Sequence, residues 1–451
     1  MNTEWQTTTL GEIAEAPHGL VDGPFGSNLP ASLYTEFGIP VIRGNNLSLG
    51  EARFKDSGYV FVSDETARKL ARSLAFTGDI IFTKKGTLGQ TGLIPVNSRY
   101  SKYLLSSNQM KLRVRQDLAD PLFVYYYVSS PTQREKIIRD STVTGVPKTN
   151  ITYLRQFPIR LPSLEEQRVI AATLGALDDK IELNRKMNVT LEAMALGFFK
   201  AWFIDFEPVQ SKMEGQWRSG QSLPGLPANL YEYFPDQFMN SEIGEIPKGW
   251  VLSPLPEVIQ VNPRCSLSKN VIAPYLNMAN MPTEGHCPKS ITTRPFGSGM
   301  KFMNGDTLVA RITPCLENGK TAYVDFLESD QVGWGSTEYI VLRAKPPLPN
   351  EFPYLLARTE SFRDFAIQNM TGSSGRQRVP ATALTHFQFP TIPKPIAEHF
   401  GLLIGPLFER SRIAAEESRT LSTLRDTLLP KLISGELRVE ETEQVAAGSL
   451  P

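Results

Sequence analysis

Cysteine and histidine are nearly missing from this chain, with three cysteines and four histidines in 451 residues. Cys265, Cys287 and Cys315 are odd in number and confined to the second half, a usage that suits a reducing cytoplasm and excludes a disulfide-held scaffold. Together with His286 they show neither CxxC nor HxxxH spacing, so no metal site is expected. His18, His386 and His399 stand near no nucleophile motif, and a surface or hydrogen-bonded histidine is the simpler expectation. Long apolar runs are lacking too. No stretch reaches ~18 apolar residues and no basic-then-apolar leader occurs, which argues against membrane-spanning and secreted classes. Strand–GxGxxG–helix units are absent, as are the Asn-Pro-Pro-aromatic and Asp-Pro-Pro-aromatic tetrads of an amino-methyltransferase. Gly319-Lys320-Thr321 invites a phosphate-loop reading, but that motif needs a glycine where Pro314 stands. No residue is expected to be catalytic, and no cofactor is expected in the chain.

Net charge is also lacking: Lys+Arg and Asp+Glu both number 47. The balance conceals an asymmetry. Residues 1–162 carry 19 basic and 14 acidic side chains, and residues 248–393 carry 14 and 11. Residues 163–247 carry 7 and 13, and residues 394–451 carry 7 and 9. Positive charge therefore sits on two separate stretches, which permits contact with phosphates.

What is present, above all, is helical periodicity. After Pro162, Ser163 and Glu166 form a capping box that opens a helix running to about Phe206. Ile170, Leu174, Leu177, Ile181, Asn184, Asn188, Leu191, Ala195, Phe198 and Trp202 alternate steps of four and three, a heptad seam. At roughly 1.5 Å per residue this helix would reach ~60 Å, and it needs a partner stripe. After Pro395 the same alternation recurs in Ile396, Phe400, Leu403, Leu407, Arg410, Ala414, Glu417, Leu421, Leu424 and Leu428, ending near Gly435. Pairing of the two seams is the simplest burial, with Asn184, Asn188, Arg410 and Glu417 fixing register.

Ahead of each of these helices the chain carries a similar stretch. Ile39–Ile42, Tyr59–Val62, Asp79–Thr83, Gln109–Val114 and Phe157–Leu161 read as strands, and Pro121–Arg139 as a helix, giving a mixed α+β domain. Pro, Gly and Ser recur through residues 207–247, which reads as a linker. GDIIFTKKGTLGQTGLI from Gly78 is echoed by GDTLVARITPCLENGKTAYV from Gly305, and IPVIRGNNL from Ile39 by APYLNMANM from Ala273. FVYYYVSSPTQREKI from Phe123 is echoed by FPYLLARTESFRDFAI from Phe352, placing Arg134 over Arg363. Val146-Pro147 answers Val379-Pro380. The unit is a domain plus its helix, present twice with divergent loops, so the same task on two different targets is implied.

The loops of both copies hold side chains suited to base edges and phosphates. In the first copy these are Arg43, Asn45 and Asn46, then Lys84, Lys85, Thr87 and Gln90, then Lys148, Thr149 and Asn150. In the second they are Asn277 and Asn280, then Arg311, Thr313 and Lys320, then Ser373, Ser374, Arg376, Gln377 and Arg378. Arginine pairs bidentately with guanine, asparagine or glutamine with adenine, while Lys, Ser and Thr hold phosphates. Any one of them alone is more simply a turn or a solvated face. Phe198, Phe199, Trp202 and Phe203 offer more aromatic surface than one seam can bury, and a patch for another subunit is expected there.

LPSLEEQRVIAATLGALDDKIELNRK, FFKAWFIDFEP and the paired GD segments resemble the specificity (S) subunit of type I restriction–modification systems, and the resemblance covers nearly the whole chain. It implies two similar target-recognition domains, 1–162 and 248–393, joined by two long helices, 163–206 and 394–435, that form an antiparallel coiled coil, with 436–451 as a tail. It implies double-stranded DNA as ligand, each domain reading half of a bipartite target. The implied partners are methyltransferase (M) subunits using S-adenosylmethionine and restriction or motor (R) subunits using ATP and Mg. Helix length would then act as a ruler for half-site separation, about one turn or ~34 Å. The residues by themselves leave open a non-catalytic coiled-coil scaffold spacing two peptide- or glycan-binding domains.

Overall fold

The computed structural model describes residues 5–50, 52–141, 147–373 and 375–438. The chain divides into two compact units, one of residues 1–182 with 418–451, the other of residues 183–417.

In the first unit, strands Leu20–Asp22, Gln109–Leu112, Ile80–Thr83 and Thr91–Leu93 lie side by side in that order, all antiparallel. A second sheet orders Tyr34–Thr35, Val60–Val62, Ile39–Ile42, Tyr103–Leu105 and Leu74–Ala75, with one parallel pair, Ile39–Ile42 against Tyr103–Leu105. Strands Gln6–Thr9 and Pro158–Leu161 pair separately. The predicted single helix over 121–139 is two helices, Pro121–Ser129 and Pro131–Arg139. Pro131 forces Ser130 into an extended conformation (ψ 150°), which ends the first helix and lets the second start at its proline.

The second unit repeats this order, except that its second sheet has four strands and no counterpart of Tyr34–Thr35. Ile259–Val261, Tyr339–Ala344, Asp306–Ala310 and Thr321–Tyr323 form one sheet. Thr292–Pro295, Ile272–Leu276, Gly333–Gly335 and Met300–Phe302 form the other, again with its central pair parallel, and Leu252–Pro254 pairs with Gln388–Pro390. The repeat read from faint sequence echoes is thus a repeat of topology. Its GD motif has a structural purpose in each copy. Asp79 is fully buried, accepts from Phe76 N (2.9 Å) and receives Arg113 through Nε (2.6 Å) and Nη2 (2.8 Å). Asp306 does the same with Met303 N (2.8 Å) and Arg343 (2.6 and 2.8 Å). Each pair pins a tight turn to the strand opposite.

Two long helices, Leu164–Phe203 and Lys394–Ser434, each contribute to both units. In the first unit the start of the first helix packs against the end of the second. Ile170, Ala171 and Leu174 share a core with Leu429, Leu432 and Ile433, and Arg425 Nη1 donates to Asp178 Oδ1 at 2.7 Å. In the second unit the order is reversed: Phe199, Trp202 and Phe203 meet Ile396, Phe400 and Ile404, and Asn184 Nδ2 donates to Glu417 Oε2 at 2.8 Å. Within each unit the helices therefore run antiparallel. On the second helix the buried positions include Ile396, Phe400, Ile404, Phe408, Ser411, Ala414, Arg425, Leu429 and Leu432, whereas Arg410, Glu417 and Leu424 of the expected seam are exposed. The buried stripe advances like a straight helix of 3.6 residues per turn, so it slides one position off a strict seven-residue repeat.

Ser163 Oγ accepts from Glu166 N (3.2 Å), as the capping box requires. Each unit also grips the first helix through a tyrosine hydroxyl. Tyr126 donates to Asp178 at 2.6 Å and Tyr354 to Glu192 at 2.5 Å. Residues 207–247, read as a linker, are folded: helix Glu207–Met213 and the hairpin Phe238–Ser241 with Gly244–Pro247 sit against the second unit's core, burying Val209, Trp217, Leu230, Phe234 and Ile246. Of the tail 436–451, residues 439–451 lie outside the described residues, as do Ser374 and Val146.

The aromatic run corrects an expectation. Phe199, Trp202 and Phe203 are at most 2 % exposed, and Phe198 is half-buried with its ring against Gly225. Phe203 lies 4.8 Å from the Phe400 ring and 5.6 Å from Phe352. These side chains offer no docking patch, because two faces of the helix are buried at once, one by the second helix and one by the domain it carries.

Candidate nucleic-acid interface

The same three loops converge in each unit, held by backbone hydrogen bonds that match position for position. In the first unit, Lys84 N donates to Asn108 O (2.7 Å), Thr149 N to Lys84 O (3.0 Å), and Lys85 bridges to Lys148. In the second, Arg311 N donates to Glu338 O (3.0 Å), Val379 N to Arg311 O (2.9 Å), and Ile312 bridges to Arg378. The third loop follows the central strand of the five- or four-stranded sheet as a short 3-10 turn, Gly44–Asn46 or Met278–Asn280. It meets the hairpin loop through Gly44 against Gln90 in one copy, and through Lys320 Nζ donating to Met278 O (2.7 Å) in the other.

The predicted residues sort into three groups. The first is structural. Asn46 is fully buried, donates to Lys55 O (3.0 Å) and Ser57 O (2.8 Å), and accepts from Arg43 N (2.9 Å). All its hydrogen-bonding capacity serves the loop, so it is withdrawn as a DNA contact. Asn150 caps the helix Ile151–Gln156, accepting from Tyr153 N at 2.8 Å. Asn277 accepts from Ala279 N (3.1 Å) and Asn280 Nδ2 donates to Ser290 Oγ (2.8 Å). The second group is ion-paired: Lys84 with Asp22 at 2.9 Å, and Arg378 with Glu338 through three contacts of 2.8–3.0 Å. Hydrogen bonding to Glu338 pushes the Arg378 pKa up.

The third group is marked by exposure or by buried polar atoms at the loop tips. Lys85, Thr87, Lys148, Ser373 and Arg376 are exposed, and Asn45 is exposed with its Nδ2 on Gly58 O (3.1 Å). Gln90 and Gln377 are half-buried. Arg43 Nε, Thr149 Oγ1, Arg311 Nε and Thr313 Oγ1 are buried atoms without a hydrogen-bond partner among the described residues. Such atoms cost folding energy unless something completes them, and four of them lie in the predicted loops.

Elsewhere in the second unit, His286 Nε2 lies 3.2 Å from Asp325 Oδ2 and 3.2 Å from Cys287 Sγ. These are the one grouping of three candidate metal ligands among the described residues. Burial opposes a charge on His286, but its hydrogen bonds with Asp325 and Cys287 outweigh that, and its pKa is raised to about 10. Packed beside Tyr323, Tyr354 and Phe408, the group reads as a charged histidine paired in a core. His399 is satisfied by Pro395 O (3.0 Å) and Asn229 (2.9 Å).

The chain is similar to known proteins over most of its length. Residues 2–193 match the family described as type I restriction modification DNA specificity domain. The type I restriction enzyme MjaIX specificity subunit of Methanocaldococcus jannaschii is 25% identical over 97% of this chain and 94% of its own length. The HindI specificity subunit of Haemophilus influenzae is 24% identical over 78% and 87%. Among solved structures, the S subunit of a type I restriction–modification system from M. genitalium superposes with a TM-score of 0.54 at 14% identity, covering 96% of each chain, a likeness of fold. Among the described residues no helix is long and apolar enough to cross a membrane.

Proposed function

The chain belongs to the specificity subunits of type I restriction–modification systems, and from that premise we propose that its two three-loop faces each read one half of a bipartite site on double-stranded DNA. The observation that carries this is the double construction of the face: one hydrogen-bonded framework, built twice, bearing different polar and cationic side chains in each copy. A duplicated frame with different tips suits two different base sequences. Lys85, Thr87, Gln90, Lys148 and the partnerless atoms of Arg43 and Thr149 would meet DNA in the first unit. Arg311, Thr313, Ser373, Arg376 and Gln377 would do so in the second. Polar side chains on such loops read base edges in the major groove, and cations position the duplex through its phosphates.

The chain would act in the cytoplasm without chemistry of its own. Methylation of adenine with S-adenosylmethionine, and restriction driven by ATP with Mg, would belong to methyltransferase and motor subunits docked on it. The two long helices, shared by both units, would fix the spacer between half-sites. The test is to exchange residues 311–320 and 373–378 for those of another specificity subunit and to map methylated adenines in the host genome. One half-site should change while the other and the spacer persist. A change in both half-sites would refute independent reading.

A further inference from the structure

Two cations occur at equivalent positions in both copies although the loops around them diverge. Lys55 and Lys289 each donate their backbone N–H at 3.0 Å to the carbonyl of the asparagine ending the 3-10 turn, Asn46 and Asn280. Arg134 and Arg363 each stand fourth in the second helix of the helical pair, Pro131–Arg139 and Glu360–Gln368. Both arginines flank the apex of the hairpin loop that carries the candidate residues. A methyl group added at Gly89 would lie 3.6 Å from Arg134 Cβ, and one added at Gly319 would lie 3.4 Å from Arg363 Nη1. The lysines are exposed and the arginines half-buried, and among the described residues none of the four pairs with a carboxylate.

Other matched charged residues are explained by the fold. Arg113 and Arg343 hold the buried Asp79 and Asp306. Arg358, near Arg363, is spent on the carbonyls of Thr283, Gly285 and Gly319. Lys55, Lys289, Arg134 and Arg363 serve no such purpose. A side chain kept the same in two readers of different sequences suits what the two half-sites have in common, and that is the sugar-phosphate backbone.

We propose that Lys55 with Arg134, and Lys289 with Arg363, are matched phosphate contacts that seat each half-site, leaving sequence discrimination to the loops. This rests on the DNA-reading assignment above. It is tested with the full chain assembled with its methyltransferase subunits, using a short duplex carrying the motif mapped for the wild type and a scrambled duplex of the same composition. R134Q, R363Q, K55Q and K289Q should each lower the slope of log affinity against log salt by about 0.9, on both duplexes alike. The methylated motif should stay the same, and R134K and R363K should restore the slope, because a phosphate needs charge and not a fork. Unchanged slopes in R134Q and R363Q overturn the proposal while leaving the reading intact. So does a motif relaxed at one half-site by R134Q and not rescued by R134K, the mark of a base contact. A wild-type complex whose affinity is independent of salt would sink the reading itself, and this proposal with it.

Discussion

Removing the GD aspartate should hurt the two copies unequally, by an amount set by a single lysine. Asp79 lies between Arg113 and Lys111, whose ammonium is 3.6 Å from it and whose side chain is only 5% exposed. Burial pushes the Lys111 pKa down, against the pull of Asp79. In the second copy Val341 stands where Lys111 stands in the first, each opposite the residue two beyond the aspartate. The D79A change orphans the Phe76 N–H and leaves the Lys111 ammonium buried on Leu74 O without its nearest counter-charge, a loss of ~3–5 kcal/mol for breaking a buried pair. The D306A change orphans only the Met303 N–H and Arg343, whose side chain is 24% exposed and can turn to water, a loss of ~1.5–3 kcal/mol. Adding K111M to D79A should recover ~1–3 kcal/mol, since the stranded charge is gone. Hydrogen exchange measures each copy separately, on amides of Ile80–Thr83 and Asp306–Ala310. If D306A weakens its copy as much as D79A does, or K111M recovers nothing, the reasoning about Lys111 fails.

Two further outcomes are expected. F199A should cost ~3–5 kcal/mol in urea unfolding of the second unit, because its ring is fully buried against Phe203, Phe352, Phe389 and Phe400, whereas a partner-facing ring would leave stability nearly unchanged. His286, whose folded pKa is raised to about 10 from an ordinary 6.5, should contribute stability that is complete below pH 6.5 and lost as pH rises through about 10; H286Q should remove that pH dependence, and a variant titrating like the wild type would contradict it.

The long helices and the duplication were legible because both are written as periods, and periods survive sequence divergence. The helix start at Ser163 was legible from its capping residues, whereas the break at Pro131 lies inside a stretch that reads as one helix. The burial of Phe199, Trp202 and Phe203 was not legible, since a stripe tells that a face is apolar without telling how many neighbours crowd it. The linker misled for a related reason. Its glycines and prolines mark turns, and turns also occur in segments pinned to a core by Trp217 and Phe234. Asn46 shows the limit at single residues: in sequence it looks like Asn45, yet one faces solvent and the other is spent inside the loop. Gln167, read only as part of a helix opening, in fact bonds Leu118 O, Pro162 O and Asp120 N, tying the helix start to the domain.

Duplication does for a single chain what a second sequence would otherwise do. Residues alike in both copies and buried are the frame, Asp79 with Asp306 and Phe123 with Phe352, together with the half-buried Arg113 and Arg343 that hold the aspartates. Residues unlike in the two copies and on the loops are free to differ because each copy answers to its own target: Lys85 against Ile312, and Gln90 against Lys320. What remains is the small class that is alike and yet exposed or half-exposed. No packing demand keeps a lysine at both 55 and 289, or an arginine at both 134 and 363, and no difference in target can require sameness. On the phosphate-contact proposal, the sameness would answer to what two stretches of duplex DNA share, charge on a regular backbone.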